Sequence, residues 1–296
     1  MILHAVRRRG NAPPSGYGGK EDAVMKKQLP TVILILVFLA GLSLLLYPTV
    51  SDYWNSFHQS RAIASYAQAA AELDDDAYER MRADAIAYNA RLAQNGQSLT
   101  LSPQEQADYE AQLDVTGTGI MAYIEIPKIK CSLPIYHGTN EAVLQIAVGH
   151  LAGSSLPVGG AGTHCVLSAH RGLPSAKLFT RLDELAEGDT FLLQTLGETL
   201  TYEVDQILIV LPEEVDALKI QEGEDLCTLV TCTPYGINTH RLLVRGHRIE
   251  NQPDADTVRV TADAMQVDPV LVAPIVAVPI LLGLLAALLI STRKKR

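Results

Sequence analysis

The chain has 296 residues, with 24 Lys+Arg against 33 Asp+Glu and a formal net charge of −9. That balance argues against nucleic acid as the main partner, because phosphate binding needs a basic face. Four cysteines exclude a disulfide-dense scaffold, and 48% hydrophobic residues exclude a wholly disordered chain. Mean hydropathy is slightly positive although 19% of residues are charged, so the apolar excess must be concentrated somewhere.

It is concentrated at the two ends. Residues 28–51 contain no charged side chain, and their middle reads Val32-Ile33-Leu34-Ile35-Leu36-Val37-Phe38-Leu39. Residues 269–292 are also uncharged. Each stretch is 24 residues long, and a membrane helix needs roughly 20. A buried soluble helix is the bland alternative at this length. Arg7, Arg8, Arg9, Lys20, Lys26 and Lys27 precede the first stretch, and Arg293, Lys294, Lys295 and Arg296 follow the second. The positive-inside rule then puts both termini in the cytoplasm and everything between the spans outside. A cleaved signal peptide is the alternative for the first stretch. Its apolar run is long for that, and no clean A-x-A site follows Tyr47-Pro48, so an uncleaved anchor is expected. Met25-Lys26-Lys27 would make an ordinary start for such an anchor. The expected order is a cytoplasmic segment 1–27, a signal anchor 28–51, a helical region 52–116, a β domain 117–250, a linker 251–268, a second span 269–292 and a basic cytoplasmic tail 293–296. Residues 51–266 hold 14 basic and 30 acidic residues, a net of −16, which speaks for solubility and against anionic polymers as ligands.

Residues 51–95 contain neither Gly nor Pro and place Trp54, Phe57, Ile63 and Tyr66 at roughly helical spacing, predicting one or two helices. Asn95-Gly96 ends them. Ser102-Pro103-Gln104-Glu105 is a capping box with Pro at the first helical position, opening a short helix over about 103–113. From Gly117 the texture changes to short strands with Gly and Pro between them: 123–126, 163–168, 191–193, 201–207, 227–231 and 241–249. Such a series reads as a barrel or sandwich. Residues 183–185 and 213–218 are expected to be helical insertions.

Three side chains carry candidate chemistry. Cys232 ends an apolar strand in Thr228-Leu229-Val230-Thr231-Cys232-Thr233-Pro234-Tyr235-Gly236, which puts it at a rim. His170 ends another in Ser168-Ala169-His170-Arg171-Gly172. Arg241 follows Cys232 by nine residues, so a two-stranded return brings it back beside the thiol. Taken singly, each has a structural reading: a buried Cys, a satisfied core His, a surface charge. Together they read better. A thiol needs a nearby base or cation to become a thiolate, the same histidine can protonate a leaving amine, and a positioned arginine can hold an oxyanion.

The run from Thr228 to Gly246, with its T-L-x-T-C pattern and Thr239-His240-Arg241-Leu242-Leu243-Val244-Arg245-Gly246, closely resembles the active-site strand and return strand of sortases. Gly149-His150-Leu151, Ser155-Leu156-Pro157-Val158-Gly159-Gly160, Ser168-Ala169-His170-Arg171-Gly172-Leu173-Pro174, Ile124-Glu125-Ile126-Pro127 and Leu133-Pro134-Ile135-Tyr136-His137-Gly138 are similar to the same family. The second span and the T-H-R-L-L-V-R-G run point to class C, the pilus-assembling sortases. The resemblance implies an eight-stranded β-barrel, mainly β, here with N-terminal helices and two flanking transmembrane helices. It implies Cys232 as nucleophile on the Thr–Gly bond of an LPxTG-type sorting signal of a pilin precursor, His170 as proton donor and acceptor, and Arg241 as holder of substrate or oxyanion. A lysine amine of another pilin subunit would resolve the thioacyl-enzyme. It implies no cofactor and no metal. His150, His137, His164, His240 and His247 are structural by default, with His240 the second choice for a role.

Class C relatives often cover the site with a lid carrying Asp-Pro-aromatic. No such tripeptide precedes the barrel here, and the helix start at Ser102-Pro103 occupies its place, so the groove is expected to be open, with that helix packed beside the barrel through Tyr109 and Leu113. Cys165 and Cys227 precede His170 and Cys232 by five residues each and are expected to be two buried thiols, with a disulfide the alternative. Three other readings stand beside the pilus one: a housekeeping-type sortase acting on cell-wall peptide precursors, a degenerate membrane-anchored binding protein, and a general cysteine protease or hydrolase.

Overall fold

The computed structural model describes residues 18–251 together with 278–279 and 282–283. The chain forms two compact units, Met1–Leu46 with Pro274–Arg296, and Tyr47–Ala273. The expected second span, 269–292, and the linker 251–268 lie almost wholly outside the described residues.

Helix α1 runs Gly18–Ala71 without a break. Within it Val32, Leu36, Val37, Leu39, Leu44 and Leu45 are exposed. An apolar surface all round a helix is what lipid favours and water does not, and α1 is long and apolar enough to cross a membrane.

The second unit begins with the rest of α1. Helix α2 follows at Asp75–Asn95; Asp74 caps it by accepting from Ala77 N at 2.7 Å. So 51–95 is two helices, with the break at an Asp that competes for backbone donors. Gly96, at φ +84°, ends α2. Helix α3 spans Pro103–Glu110, and both halves of the capping box close: Glu105 N to Ser102 Oγ, and Ser102 N to Glu105 Oε2. It stops three residues earlier than the sequence predicts, because Gln112 N turns back to Tyr109 O and Leu113 takes φ +57°. Tyr109 and Leu113 are nevertheless fully buried against the barrel, as expected.

The barrel has strands β1 Ile120–Ile126, β2 Cys131–His137, β3 Val148–His150, β4 Thr163–Ser168, β5 Thr190–Thr195, β6 Glu198–Val210, β7 Asp225–Thr233 and β8 His240–Ile249. A short helix, α4 (Glu141–Leu144), joins β2 to β3. The strands close in the order β1-β2-β3-β4-β7-β8-β6-β5. Closure leaves no free sheet edge. Six of the strands lie where the sequence places strands; β2 and β3 do not appear there. Pro134 breaks the pattern of β2, yet it faces Tyr123 of β1 at a point where β3 has not begun to pair, since that ladder starts at Ile135. A proline is tolerated where no partner needs its missing N–H. Residues 183–185 and 213–218 contribute 3-10 turns at Leu182–Glu184 and Asp216–Leu218.

Alternation sorts the walls. Cys165, Leu167, Cys227, Leu229, Leu242 and Val244 join the barrel interior. Val166, Val230 and Leu243 face outward into a second cluster, under Ala217 and Leu218 of the β6–β7 connection. Strand β6 carries a bulge: Val204 pairs with Gly246 and Gln206 with Arg245, leaving Asp205 as the extra residue. Asp205 is held by a bidentate pair with Arg245, at 3.0 and 2.9 Å.

Candidate active site

Strands β4 and β7 are parallel neighbours, with Cys165 opposite Cys227, Leu167 opposite Leu229 and Ser168 opposite Val230. The chain leaves β4 still attached: Ala169 N donates to Val230 O at 3.1 Å, and Thr231 Oγ1 donates to Ala169 O at 2.8 Å. The same register carried two residues on puts His170 opposite Cys232. On the other side, Cys232 is the direct antiparallel partner of Arg241. Register partners point to one face, with Cβ atoms about 5 Å apart. The register thus sets Cys232 and Arg241 side by side on β7 and β8 and, carried past the end of β4, His170 on the other flank, on the outer face that also carries Val166 and Val230. The β6–β7 connection covers the lower part of that face, and Cys232 lies just past it, half-exposed.

Turn chemistry at the ends of these strands fixes the row. After β7, Ile237 N and Asn238 N both donate to Pro234 O, and Gly236 and Asn238 take φ of +75° and +61°. The return is therefore tight, and it feeds Arg241 back beside Cys232. Arg241 Nη1 donates to Asn238 O at 3.3 Å and His240 O at 3.1 Å. The turn thus anchors one end of the guanidinium and leaves other N–H donors of its fork for a ligand. Tyr235 and Ile237 stand exposed on the turn.

The segment after His170 is braced from several sides. Phe179 N donates to His170 O at 3.2 Å, Gly172 N to Thr180 Oγ1 at 3.1 Å, and Arg171 Nη2 to Asp183 Oδ2 at 2.6 Å. The Arg171 guanidinium also lies 6.0 Å from the Tyr235 ring centroid. Gly172 sits at φ +80°, and a Cβ there would come within 2.7 Å of Tyr235 Cε2. The backbone sign demands glycine, while the exposed Tyr235 ring has room to swing aside. His170 Nε2 is buried yet has no hydrogen-bond partner, and Glu141 Oε2 of α4 lies 3.8 Å away. An unpartnered buried nitrogen costs free energy, so His170 Nε2 still has hydrogen-bonding capacity to offer. Glu141 was not singled out by the sequence: it sits 29 residues before His170, and only the parallel β2–β3 pairing brings α4 to this end of the barrel.

The other expected residues separate cleanly. His164 Nδ1–H donates to Lys219 O at 2.9 Å and Nε2 accepts from Thr228 Oγ1 at 2.7 Å; burial holds its pKa below the usual histidine value. His150 Nε2–H donates to Ser155 O at 2.8 Å, and its Nδ1 accepts from Tyr109 Oη at 2.9 Å. His137 lies between Gly119 O and Gln112 O, and burial lowers its pKa too. His164 and His150 are satisfied structural histidines, and His137 is a structural one whose single neutral-state N–H serves one of its two carbonyls. His240 is half-exposed beside Thr239, and His247 is 3.9 Å from Asp205 on the outer face. Cys165 and Cys227 are free thiols, buried side by side; desolvation, then the neighbouring Cys165, push Cys227 well up. Burial takes Cys131 up to about 12. Among the described residues no His/Cys/Asp/Glu group could hold a metal ion.

The segment before α3, where a lid would be expected, is tied elsewhere. Gln97 Oε1 accepts from Ile220 N at 2.8 Å, and Ser98 O lies against Gly153, where a Cβ would be 2.0 Å away. Lys219 O, next to Ile220, bonds His164, and His164 pairs with Leu226 at the start of β7. At about 3.3 Å per residue, that is about 20 Å along the strand from Cys232.

The Sortase domain family model matches residues 124–249. Sortase D of Bacillus subtilis (strain 168) is 32% identical over 154 residues, covering 51% of this chain and 74% of that protein. Among solved structures, sortase C1 from Streptococcus agalactiae is 51% identical with TM-score 0.64, covering 65% of this chain and 100% of that one. The crystal structure of Streptococcus pneumoniae sortase C, described with reference to catalysis and pilin substrate specificity, is 42% identical with TM-score 0.57, covering 64% and 97%. The chain belongs to the sortase family and is a cysteine transpeptidase. Within that family its structural neighbours at 42–51% identity set it among the class C sortases. The comparisons lend no support to hydrolysis as its reaction.

Proposed function

We propose that this class C sortase joins pilin subunits at the outer face of a membrane, with Cys232 as nucleophile, His170 as proton carrier and Arg241 as oxyanion and substrate holder. The observation that carries the reading is the direct pairing of Cys232 with Arg241; the β4–β7 register and the Ala169 N to Val230 O bond that continues it support His170 on the other side of the thiol. The pilin reading draws further support from the pilin specificity of the Streptococcus pneumoniae neighbour.

The Cys232 thiolate attacks the threonine carbonyl carbon of an LPxTG-type signal. The carbonyl electrons move to oxygen, where Arg241 donates hydrogen bonds. As the C–N bond breaks, the glycine amine takes a proton from imidazolium His170, leaving a thioester and a neutral imidazole. A lysine amine of another pilin subunit then attacks the thioester and gives its proton to His170. The C–S bond breaks, an isopeptide bond remains, and the thiolate and imidazolium are restored. Residues 28–51 and 269–292 act as the two spans, with both termini cytoplasmic.

The test is to trap the acyl-enzyme. An LPxTG peptide should add its acyl part to Cys232, detected by mass spectrometry, and Cys232→Ala should prevent it. Label on any other residue would end this assignment. Supplying a pilin lysine or a wall-precursor amine to the trapped enzyme separates pilus polymerisation from wall anchoring.

A further inference from the structure

The turns of α1 that follow the uncharged stretch have two faces. On one, Lys177 N donates to Asp52 Oδ1 at 3.0 Å, Asn55 Nδ2 donates to Ser175 O at 2.8 Å, and Gln59 Nε2 donates to Ile146 O at 2.7 Å. Ser175 and Lys177 belong to the loop that begins at His170. Ile146 follows α4, the helix of Glu141. Further along this face Tyr66 is buried, its hydroxyl donating to Met121 O and accepting from Leu196 N. On the opposite face Tyr47, Val50, Tyr53, Trp54 and Phe57 are 56, 62, 70, 64 and 50% exposed. At 100° per residue these five fall within an arc of about 120°, diametrically across from Asp52, Asn55 and Gln59. Arg61 closes the stripe, its guanidinium 5.8 Å from the Phe57 ring centroid.

Such a stripe facing water would be an aggregation hazard. Its position names a different neighbour. Helix α1 is unbroken here, and the first charged residue after Lys27 is Asp52. A hydrocarbon layer of about 30 Å takes about 20 residues; laid from Thr31, it ends at Val50. Tyr53 and Trp54 then fall about 5 Å beyond it, in the headgroup layer where Tyr and Trp concentrate. Phe57 lies about 10 Å beyond the hydrocarbon, at the outer limit of the headgroup layer, and the Arg61 guanidinium, folded back over its ring, is placed to meet lipid phosphates.

We propose that Tyr53, Trp54 and Phe57, rooted in the hydrocarbon by Tyr47 and Val50, form a belt seated in the lipid headgroup layer, and that Asp52, Asn55 and Gln59, on the back of the same turns, hold the loop after His170 at the bilayer surface. The partner is the membrane surface itself, and the belt is a positioning device: it fixes the height at which an acyl donor must be offered. The proposal rests on the reading of α1 as a membrane anchor.

Trp54 is the single tryptophan of the chain, so its fluorescence is a clean depth gauge. The full chain is reconstituted into vesicles of phosphatidylglycerol and phosphatidylcholine, with the phosphatidylcholine brominated either near the headgroup or near the chain ends. Flotation of the vesicles reports anchoring independently. With anchoring intact, Trp54 should emit in the blue, lose most of its emission to shallow bromine and little to deep bromine, and resist iodide in the water. In a Trp54→Phe/Pro174→Trp variant, which moves the probe to an exposed position on the loop after His170, shallow bromine should again quench more than deep. Chains that float while Trp54 ignores both lipids would overturn the belt, whether iodide reaches it or a second protein surface covers it. Quenching at Trp54 but none at the loop probe would overturn the positioning half. Chains that fail to float would overturn the anchor reading and the belt with it.

Discussion

Cys227 and Cys232 sit five residues apart on one strand and have opposite fates. An odd separation sends them to opposite faces of a pleated strand. Cys227 lies inside the barrel against Cys165, fully buried. Cys232 lies outside, half-exposed, beside Arg241. The histidines of β4 and of the residues just after it make the same point differently. His164 and His170 share the outer face, but His164 is sealed under Lys219, while His170 emerges where that cover ends. Face and cover, more than residue type, divide a structural thiol or imidazole from an available one.

The comparison is most easily broken by exchanging losses. Cys232→Ala should reduce acyl transfer by about 10⁴-fold or more and leave the thermal midpoint unchanged, because a rim thiol packs little. A lowered midpoint with retained transfer would reverse the assignment of the two thiols. Arg241→Ala should cost about 10²–10³-fold in kcat, with the hairpin intact by circular dichroism; a change in KM alone would make Arg241 a substrate holder with no part in oxyanion stabilisation. Cys227→Ser should do the opposite of Cys232→Ala: turnover near normal, stability down by about 1–3 kcal/mol as a hydroxyl is enclosed, read from denaturant unfolding.

Smaller effects sharpen the boundary. A small thiol reagent should modify Cys232 in the folded protein and reach Cys165 and Cys227 only on unfolding. Replacing residues 97–102 with a Gly/Ser linker should change the rate at Cys232 by less than about tenfold, or about 1.4 kcal/mol of gating, because that segment is bonded to Ile220 far from the thiol. A larger rise would reveal a lid. The smallest effect is in pH. Burial depresses the folded-state values of His164 and His137 below the ordinary 6.5. The unfolded chain therefore takes up these protons first, so the stability they carry is complete above pH 6.5 and declines as pH falls through that value. Denaturant midpoints should drop on moving from about pH 7.5 to pH 5.5, and His164→Gln should flatten part of that slope.

The sequence made the candidate row legible because its members follow short-range rules: a strand-end cysteine, a hairpin of countable length and a second strand end. The helix start at Ser102 was legible for the same reason, since a capping box is complete within four residues. What escaped depends on partners distant in the chain. Strand β2 is disguised by Pro134, whose missing donor is harmless only because β3 begins to pair one residue later. Strand β3 is three residues long, too short for any periodicity to register. Glu141 gains its place beside His170 only through those two strands. The location of residues 97–102 was likewise not written locally; it follows from a single glutamine reaching the β6–β7 connection.

The bulge at Asp205 works as a phase shift. Before it, the even-numbered residues Leu200, Tyr202 and Val204 of β6 face the interior; after it, the odd-numbered Ile207 does, while Leu208 and Val210 turn out to join the cluster under the β6–β7 connection. Val210, thus turned, is the register partner of Arg241. Along this strand, then, chain length matters more than spelling. Exchanging Asp205 for another residue would forfeit an ion pair with Arg245, whereas deleting it would act as a frameshift in three dimensions. Every side chain from Gln206 to Val210 would swap sides, and the wall beside Arg241 would be built from residues meant for the core. Natural variants of this segment should accordingly tolerate substitutions and exclude single-residue insertions or deletions.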